Sequence, residues 1–349
     1  MRDLTNLTIA VDLAGCPNRC RHCWMGSPRN ANMDGNTLAE IARLFRETGA
    51  IKNLGVASWT REPDFRDDYR ELWALEKSLS DPGMAQRYEL LSTWRLARDE
   101  SYAPWAAENG PKACQITFFG MEENTDWFMG RKGAFRDQLA ATEACLRAGI
   151  APRWQLFPTK RSLGELDDFL RLIEKLELFR RCPTFEGFLN SAAPEGNGWE
   201  IERLRLEEAD LRLIPQALAD LSRDGLSLLG RPEHMLLEEM RTRTDPPNVN
   251  ATFQCLFIDP DFDVSPNIAE CAPWWRLGNL KTDGVRKILA AYQNEETPGM
   301  WANRTIPVGE LAKRFGDPAS ARLYDGGDLV SRFLHQWGSA RFNNKERRP

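Results

Sequence analysis

Histidine is scarce in this chain: its 349 residues include only His22, His234 and His335. A histidine-based hydrolase or a histidine-rich metal site is therefore poorly supported. A positive excess is also missing. Lysine and arginine number 46 against 51 aspartates and glutamates, a formal net charge of −5. A nucleic-acid surface would usually be basic, so no nucleic-acid partner is expected. No apolar run approaches the roughly 20 residues of a membrane helix, so no membrane partner is expected either. The opening Met1-Arg-Asp-Leu-Thr-Asn has no signal-peptide pattern. Without one, the eight cysteines read as thiols of a reducing cytosol rather than a disulfide framework, and the expected location is cytoplasmic. Internal repeats and low-complexity tracts are absent. Twelve tryptophans and 42% hydrophobic residues are present, enough for a sizeable core. The length allows one large domain, or a domain with a smaller appendage.

Three of the cysteines are crowded together. Cys16-Pro-Asn-Arg-Cys20-Arg-His-Cys23-Trp24 follows directly on the apolar run from Leu7 to Leu13. Thiolates so close on one loop can point at one centre, and soft thiolates select iron–sulfur clusters, zinc or copper(I). Structural zinc wants four protein ligands. A 4Fe–4S cluster normally takes four cysteines, one per iron. Three cysteines would leave one iron open to a small molecule. His22 reads as a ring packing beside the centre rather than as a ligand, because adjacent residues rarely bind one metal with good geometry.

Along the chain, six apolar runs read as strands: Asn6 to Leu13, Ile51 to Ser58, Arg87 to Thr93, Ala113 to Phe119, Ala151 to Phe157 and Thr184 to Leu189. Helical patterns alternate with them. Capping boxes are expected at Thr37–Glu40 and Ser162–Glu165. A further helix over 134–147 should stop before Gly149. Such alternation implies βαβ units around a parallel sheet, an α/β fold. In a (β/α) barrel the chemistry sits in the loops after the strands, which is where the cysteines lie. The composition shifts after about residue 205. Leu206 to Ser222 reads as helical, with Pro215 marking a break or restart, and Glu233 to Met240 as another helix, followed by the linker-like Thr242-Arg-Thr-Asp-Pro-Pro-Asn. The expected division is 1–225 for the main domain and 226–349 for a smaller C-terminal α+β domain. Cys114, Cys145 and Cys182 read as small buried hydrophobes.

The C-x3-C-x2-C triplet resembles the signature of the radical S-adenosylmethionine (radical SAM) superfamily. Further segments resemble that family in its order. Glu62-Pro63, after the second strand, matches the end of its G-G-E-P motif, with Thr60 and Arg61 in place of the two glycines. Ile116-Thr117-Phe-Phe-Gly120 resembles its I-S-L-D-G pattern, without the aspartate. Asp126 to Phe135 resembles D-x-x-R-G-x-x-G-S-F, with Gly130 and Arg131 in swapped order. The resemblance implies a partial (β/α)6 TIM-like barrel. It implies that Cys16, Cys20 and Cys23 hold a 4Fe–4S cluster whose open iron binds S-adenosylmethionine. Glu62 and Pro63 would hold the amino group of that cofactor. Thr117 would approach its ribose or carboxylate, Arg131 would pair with a carboxylate, and Gln155 would lie near adenine. As ordinary readings, Glu62 is an exposed loop residue, Thr117 part of a buried strand, and Arg131 half of a surface ion pair. A flavodoxin or ferredoxin would supply the electron that cleaves the cofactor to a 5′-deoxyadenosyl radical.

The segment from Phe253 to Cys271, followed by Leu277-Gly-Asn-Leu280, resembles the SPASM or twitch region of some members. That resemblance implies an auxiliary iron–sulfur cluster at Cys255 and Cys271. Two cysteines are fewer than a full site requires, which favours a remnant covering the substrate cavity. A peptide or a small molecule is the expected substrate. A B12-dependent methyltransferase is not expected, since the first strand starts at about residue 6. The competing reading is a non-catalytic, zinc-stabilised binding protein, in which His22 or a distant cysteine completes the triplet.

Overall fold

In the first strand, β1 (Asn6–Val11), Leu7, Ile9 and Val11 are fully buried on one face, and Thr8 and Ala10 take the other. This is the two-residue alternation of a pleated strand. The structure is a computed structural model and describes residues 2–26, 29–30, 33–58, 61–62, 64–84, 90–189, 196–221, 229–249, 254–266 and 271–342. The further strands are β2 (Asn53–Ala57), β3 (Ala113–Phe118), β4 (Ala151–Leu156), β5 (Glu186–Leu189), β6 (Arg231–Pro232), β7 (Cys255–Ile258), β8 (Asp263–Pro266), β9 (Gly278–Asn279) and β10 (Leu323–Tyr324).

Two sheets carry the fold, which is α/β with parallel strands as expected. One has the order β2-β1-β7-β8-β9, the other β3-β4-β5, and β6 pairs separately with β10. Strand β1 runs parallel to both its neighbours: Thr8 lies opposite Gly55 and Cys255, and Ala10 opposite Ala57 and Phe257. Strands β7, β8 and β9 are antiparallel to one another. Strands β3, β4 and β5 are all parallel. Among the described residues no hydrogen bond joins the two sheets into a closed barrel. The pairing of β7 with β1 brings residues beyond 226 into the first sheet. Leu7, Ile9 and Val11 share one apolar cluster with Leu256, Trp275 and Phe333.

The third expected strand, 87–93, is not formed in its described part. Ser92 instead caps the short helix Thr93–Leu96, its Oγ accepting the Arg95 N–H at 3.0 Å. Residues 87–89 lie outside the described residues. Both expected capping boxes are replaced. The helix Gly35–Arg46 starts from Asp34, whose Oδ1 accepts the Thr37 N–H at 2.8 Å, while Glu40 pairs with Arg43. Ser162 Oγ accepts the Thr159 N–H, and Glu165 Oε2 accepts the Met121 N–H at 2.8 Å. Glu165 thus braces the loop after β3, and the helix Leu166–Lys175 follows a 3-10 turn. The helical stretch from 206 breaks and restarts at Pro215 as expected: Glu208–Leu213 before it is a 3-10 segment, and the helix Gln216–Asp220 follows it. The helices Ala134–Arg147 and Glu233–Met240 match expectation. Among the described residues no helix is long and apolar enough to cross a membrane.

Candidate functional site

The chain turns as soon as it leaves β1. Asp12 Oδ1 accepts the Gly15 N–H at 3.1 Å. Gly15 has φ +93°, and a Cβ there would stand 2.3 Å from Asn30 Oδ1, so only glycine fits. Cys16 is then held at both backbone groups: its N–H donates to Asn30 Oδ1 at 3.1 Å, and its carbonyl accepts from Asn30 Nδ2 at 3.0 Å. The Asn18 N–H points at Cys16 Sγ, 3.4 Å away. Further along, the N–H groups of Arg19 and Arg21 donate to the carbonyls of Met129 and Phe128, at 3.0 and 2.8 Å. Those carbonyls end the helix Glu122–Met129, where they lack partners within the helix. Gly130 permits the approach, since a Cβ there would meet the Arg19 carbonyl oxygen at 2.2 Å. Asn197 closes the loop, donating its N–H to the Cys23 carbonyl at 2.8 Å and its Nδ2 to the Cys20 carbonyl at 3.2 Å.

The three thiols line one cavity of about 230 Å³, together with Glu62, Gln115, Thr117 and Gln138. Burial raises all three thiols above their ordinary range, Cys16 to about 12 with the Glu62 charge adding to the effect. Cys20 is raised further by its neighbours Cys16 and Cys23. Bound metal reverses such a shift, because its positive charge stabilises the thiolates. The donor set fits a thiophilic cluster. Among the described residues no group of three or more His, Cys, Asp or Glu is arranged to hold a single metal ion. No disulfide joins any of the eight cysteines. Cys114, Cys145 and Cys182 are buried, as expected.

Glu62 lines this cavity. Its Oε1 accepts from Ser92 Oγ at 2.6 Å and from the Trp94 N–H at 3.1 Å, yet burial still raises its carboxyl. Pro63 and Thr60 lie outside the described residues. Thr117 lines the cavity from β3, and its carbonyl accepts from Gln138 Nε2 at 3.2 Å. Gln155 is largely buried and accepts from Gln115 Nε2 at 2.8 Å, so it reaches the cavity wall through Gln115. Arg131 donates to Asn18 Oδ1 at 2.7 Å and pairs with Asp137 at 2.5 Å. It therefore holds the cysteine loop through Asn18. Asp126 holds the N–H groups of Gly133 and Phe135, at 2.5 and 2.8 Å, and so anchors the start of the helix Ala134–Arg147. The His22 ring packs on Phe119 at 4.4 Å, and burial lowers its pKa to about 4. Cys255 is buried with Ala10, Ala57 and Phe257, and Trp24 and Cys271 pack against that cluster.

Sequence reasoning missed Arg61, Asn30 and Asn197. Arg61 forms a buried ion pair with Asp12 at 2.8 Å and also donates to Asn30 Oδ1 at 3.2 Å. One signal was readable: Asp12 is a charge at the end of an apolar run, and a buried charge needs a partner.

Residues 11–161 match the family model described as the Radical SAM superfamily. The chain carries a radical SAM domain. Pre-heme d1 synthase of Dinoroseobacter shibae is 27% identical over 160 residues, 46% of this chain but only 38% of that protein's length. The chain thus aligns with well under half of that curated relative. Among solved structures, anSMEcpe with bound AdoMet and the Cp18Cys peptide is similar with TM-score 0.54 and 15% identity, covering 97% of this chain and 98% of the other. The same protein with AdoMet alone gives TM-score 0.53 at 14% identity, with the same coverage. At such identities the likeness is one of fold. It extends over 97% of the chain, whereas the radical SAM match ends at residue 161.

Proposed function

We propose that this radical SAM domain holds a 4Fe–4S cluster on Cys16, Cys20 and Cys23 and binds S-adenosylmethionine in the adjoining cavity. When bound and reduced, the pair supplies a 5′-deoxyadenosyl radical, which takes a hydrogen atom from a peptide or small-molecule substrate. The observation that carries the reading is that three thiols of one loop line a single cavity with Glu62 and Thr117, which come from separate parts of the chain.

In this reading each protein group has a limited task. Glu62, pinned through one oxygen by Ser92 and Trp94, and Pro63 meet the cofactor's amino group. Thr117 meets its ribose or carboxylate, and Arg131 is the candidate partner of the carboxylate, its fork set by Asp137. The electron comes from a flavodoxin or ferredoxin. Residues 226–349 form the SPASM- or twitch-like part that covers the substrate, with an auxiliary cluster at Cys255 and Cys271 as its further option. The fold of anSMEcpe, solved with a peptide, supports a peptide substrate. Pre-heme d1 synthase, by its name, keeps a non-peptide substrate in view.

The test is anaerobic reconstitution with iron and sulfide, then dithionite and S-adenosylmethionine. The wild type should bind iron and form 5′-deoxyadenosine, and a Cys16→Ala, Cys20→Ala, Cys23→Ala variant should form none. Iron retained by that variant would locate a second cluster. A colourless zinc protein that leaves S-adenosylmethionine intact would overturn the reading in favour of a metal-stabilised binding protein.

A further inference from the structure

We propose that a second cavity, beside the thiols, holds a primary ammonium group of the substrate between Asp259 and Ser265; this deepens, and rests on, the function proposed above. The cavity has a volume of about 370 Å³, and Gly26 lines both it and the thiol cavity. Trp24 lines the thiol cavity and Phe257 the second, and their rings meet at 4.9 Å. The two cavities are thus neighbours with one pair of rings at their junction. Two polar groups of the second cavity have unused hydrogen-bonding capacity. Ser265 lies opposite Phe257 in the pairing of β7 with β8 and is only 9% exposed. Its hydroxyl lines the cavity and makes no hydrogen bond among the described residues. Asp259 follows directly on β7. Its Oδ1 accepts the N–H groups of Asp261 and Asp263, at 2.8 and 2.9 Å, and its Oδ2 accepts none among the described residues.

The guanidiniums nearby are committed to other carboxylates. Arg276 pairs with Asp263 at 2.5 Å, and Arg29 with Asp261 at 2.6 Å. Asp259 is left as a half-buried charge with no cation among the described residues, and such a charge favours a cationic ligand. The geometry selects an ammonium. Its three donors on one nitrogen can meet a carboxylate oxygen and a hydroxyl together. A guanidinium fork would want both carboxylate oxygens, and Oδ1 is already engaged. Met25 and Phe257 give an apolar wall for the carbons that carry the charge. An ammonium held here fixes how the rest of the molecule reaches past Trp24 towards the thiol cavity, which is positioning through a remote group. No bond forms or breaks at this site.

The test titrates reconstituted holoenzyme with n-pentylamine, with its neutral counterpart 1-pentanol, and with acetyl-glycyl-lysyl-glycinamide, following binding by ligand-observed NMR. The wild type should prefer the amine over the alcohol by roughly tenfold. Asp259→Asn keeps an oxygen for the two turn N–H groups, so its urea midpoint should stay near that of the wild type while the preference for the amine is lost. Ser265→Ala should weaken amine binding by roughly threefold. Tighter binding of the lysyl peptide than of pentylamine assigns the ammonium to a peptide, and the reverse order assigns it to a small amine. Equal binding of amine and alcohol, or unchanged amine binding in Asp259→Asn, overturns the site while leaving the proposed function standing. Cys271 also lines this cavity. Iron retained by the Cys16→Ala, Cys20→Ala, Cys23→Ala variant and lost when Cys271→Ser is added would put a cluster in the cavity and overturn the site as well. A wild type that binds the amine but forms no 5′-deoxyadenosine overturns the function proposed above, and with it the reading of this ligand as substrate.

Discussion

The two sheets present opposite chemistry on the faces away from their helices. On β2, β1 and β7 the register rows there are Gly55-Thr8-Cys255 and Ala57-Ala10-Phe257, mostly small or apolar. On β3, β4 and β5 the lower row is Gln115-Arg153-Glu186, and Thr117 lies beside Gln155 in the row above. The difference teaches how the labour is divided. The first sheet launches the cysteine loop and needs small side chains, because Trp24 folds back onto it and packs on Phe257 at 4.9 Å. Its contribution to the site is made through backbone groups and the Asp12–Arg61 pair. The second sheet supplies amide and hydroxyl side chains to the cavity wall. The centre is therefore positioned by one half of the molecule and faced by polar groups of the other.

The strongest way to break this division is to cut the anchor of the first half. Asp12 and Arg61 have side chains only 3% and 6% exposed. Removing one partner of a buried pair leaves an uncompensated charge and costs about 3–5 kcal/mol. Asp12→Ala should therefore lower the urea midpoint by that equivalent and reduce iron uptake on reconstitution, since the Gly15 turn loses its acceptor as well. Asp12→Asn, which keeps an acceptor for the Gly15 N–H, should retain more iron than Asp12→Ala. A stability loss under about 1 kcal/mol for Asp12→Ala would show that the pair is not what holds the loop.

The small inner face comes next. Ala57 is fully buried between Ala10 and its neighbours. Ala57→Leu adds volume where nothing can yield cheaply, and overpacking of this kind costs about 1–3 kcal/mol. Because Trp24 packs on this cluster, its near-ultraviolet circular dichroism should change with the loss of stability. A Leu accepted with neither change would mean that the first half does not need small residues.

Some of these features are legible in the sequence and others are not. The cysteine loop and β1 are local features: a contiguous triplet after an alternating apolar run. The neighbour of β1 on its other side is not, because Thr8 pairs with Cys255 across most of the chain and no periodicity announces a partner. The run 87–93 alternates like a strand, but Ser92 is placed to cap the next turn, and capping prevails where the described chain begins again at 90. Arg61 looks like a departure from a glycine motif until Asp12 is seen beside it. Asn197, which holds Cys20 and Cys23 by their carbonyls, has no sequence signature, since a backbone contact leaves none.

The polar half offers the smallest and most diagnostic effect. Gln115 and Gln155 form one side-chain hydrogen bond at 2.8 Å, and Gln155 is only 7% exposed. Gln115→Leu alone strands the Gln155 amide, at a cost of about 1–2 kcal/mol, whereas replacing both amides with apolar groups of similar shape is nearly neutral. The Gln115→Leu, Gln155→Leu double variant should thus be more stable than the Gln115→Leu single variant, a coupling that a double-mutant cycle reads directly. Its cofactor or substrate binding should nevertheless weaken, because Gln115 is part of the cavity wall. Stability and binding then move in opposite directions on this half, while on the β1 half they fall together. Additive losses in the cycle with unchanged binding would mean that the amides only fill space, and the contrast between the two faces would carry no functional meaning.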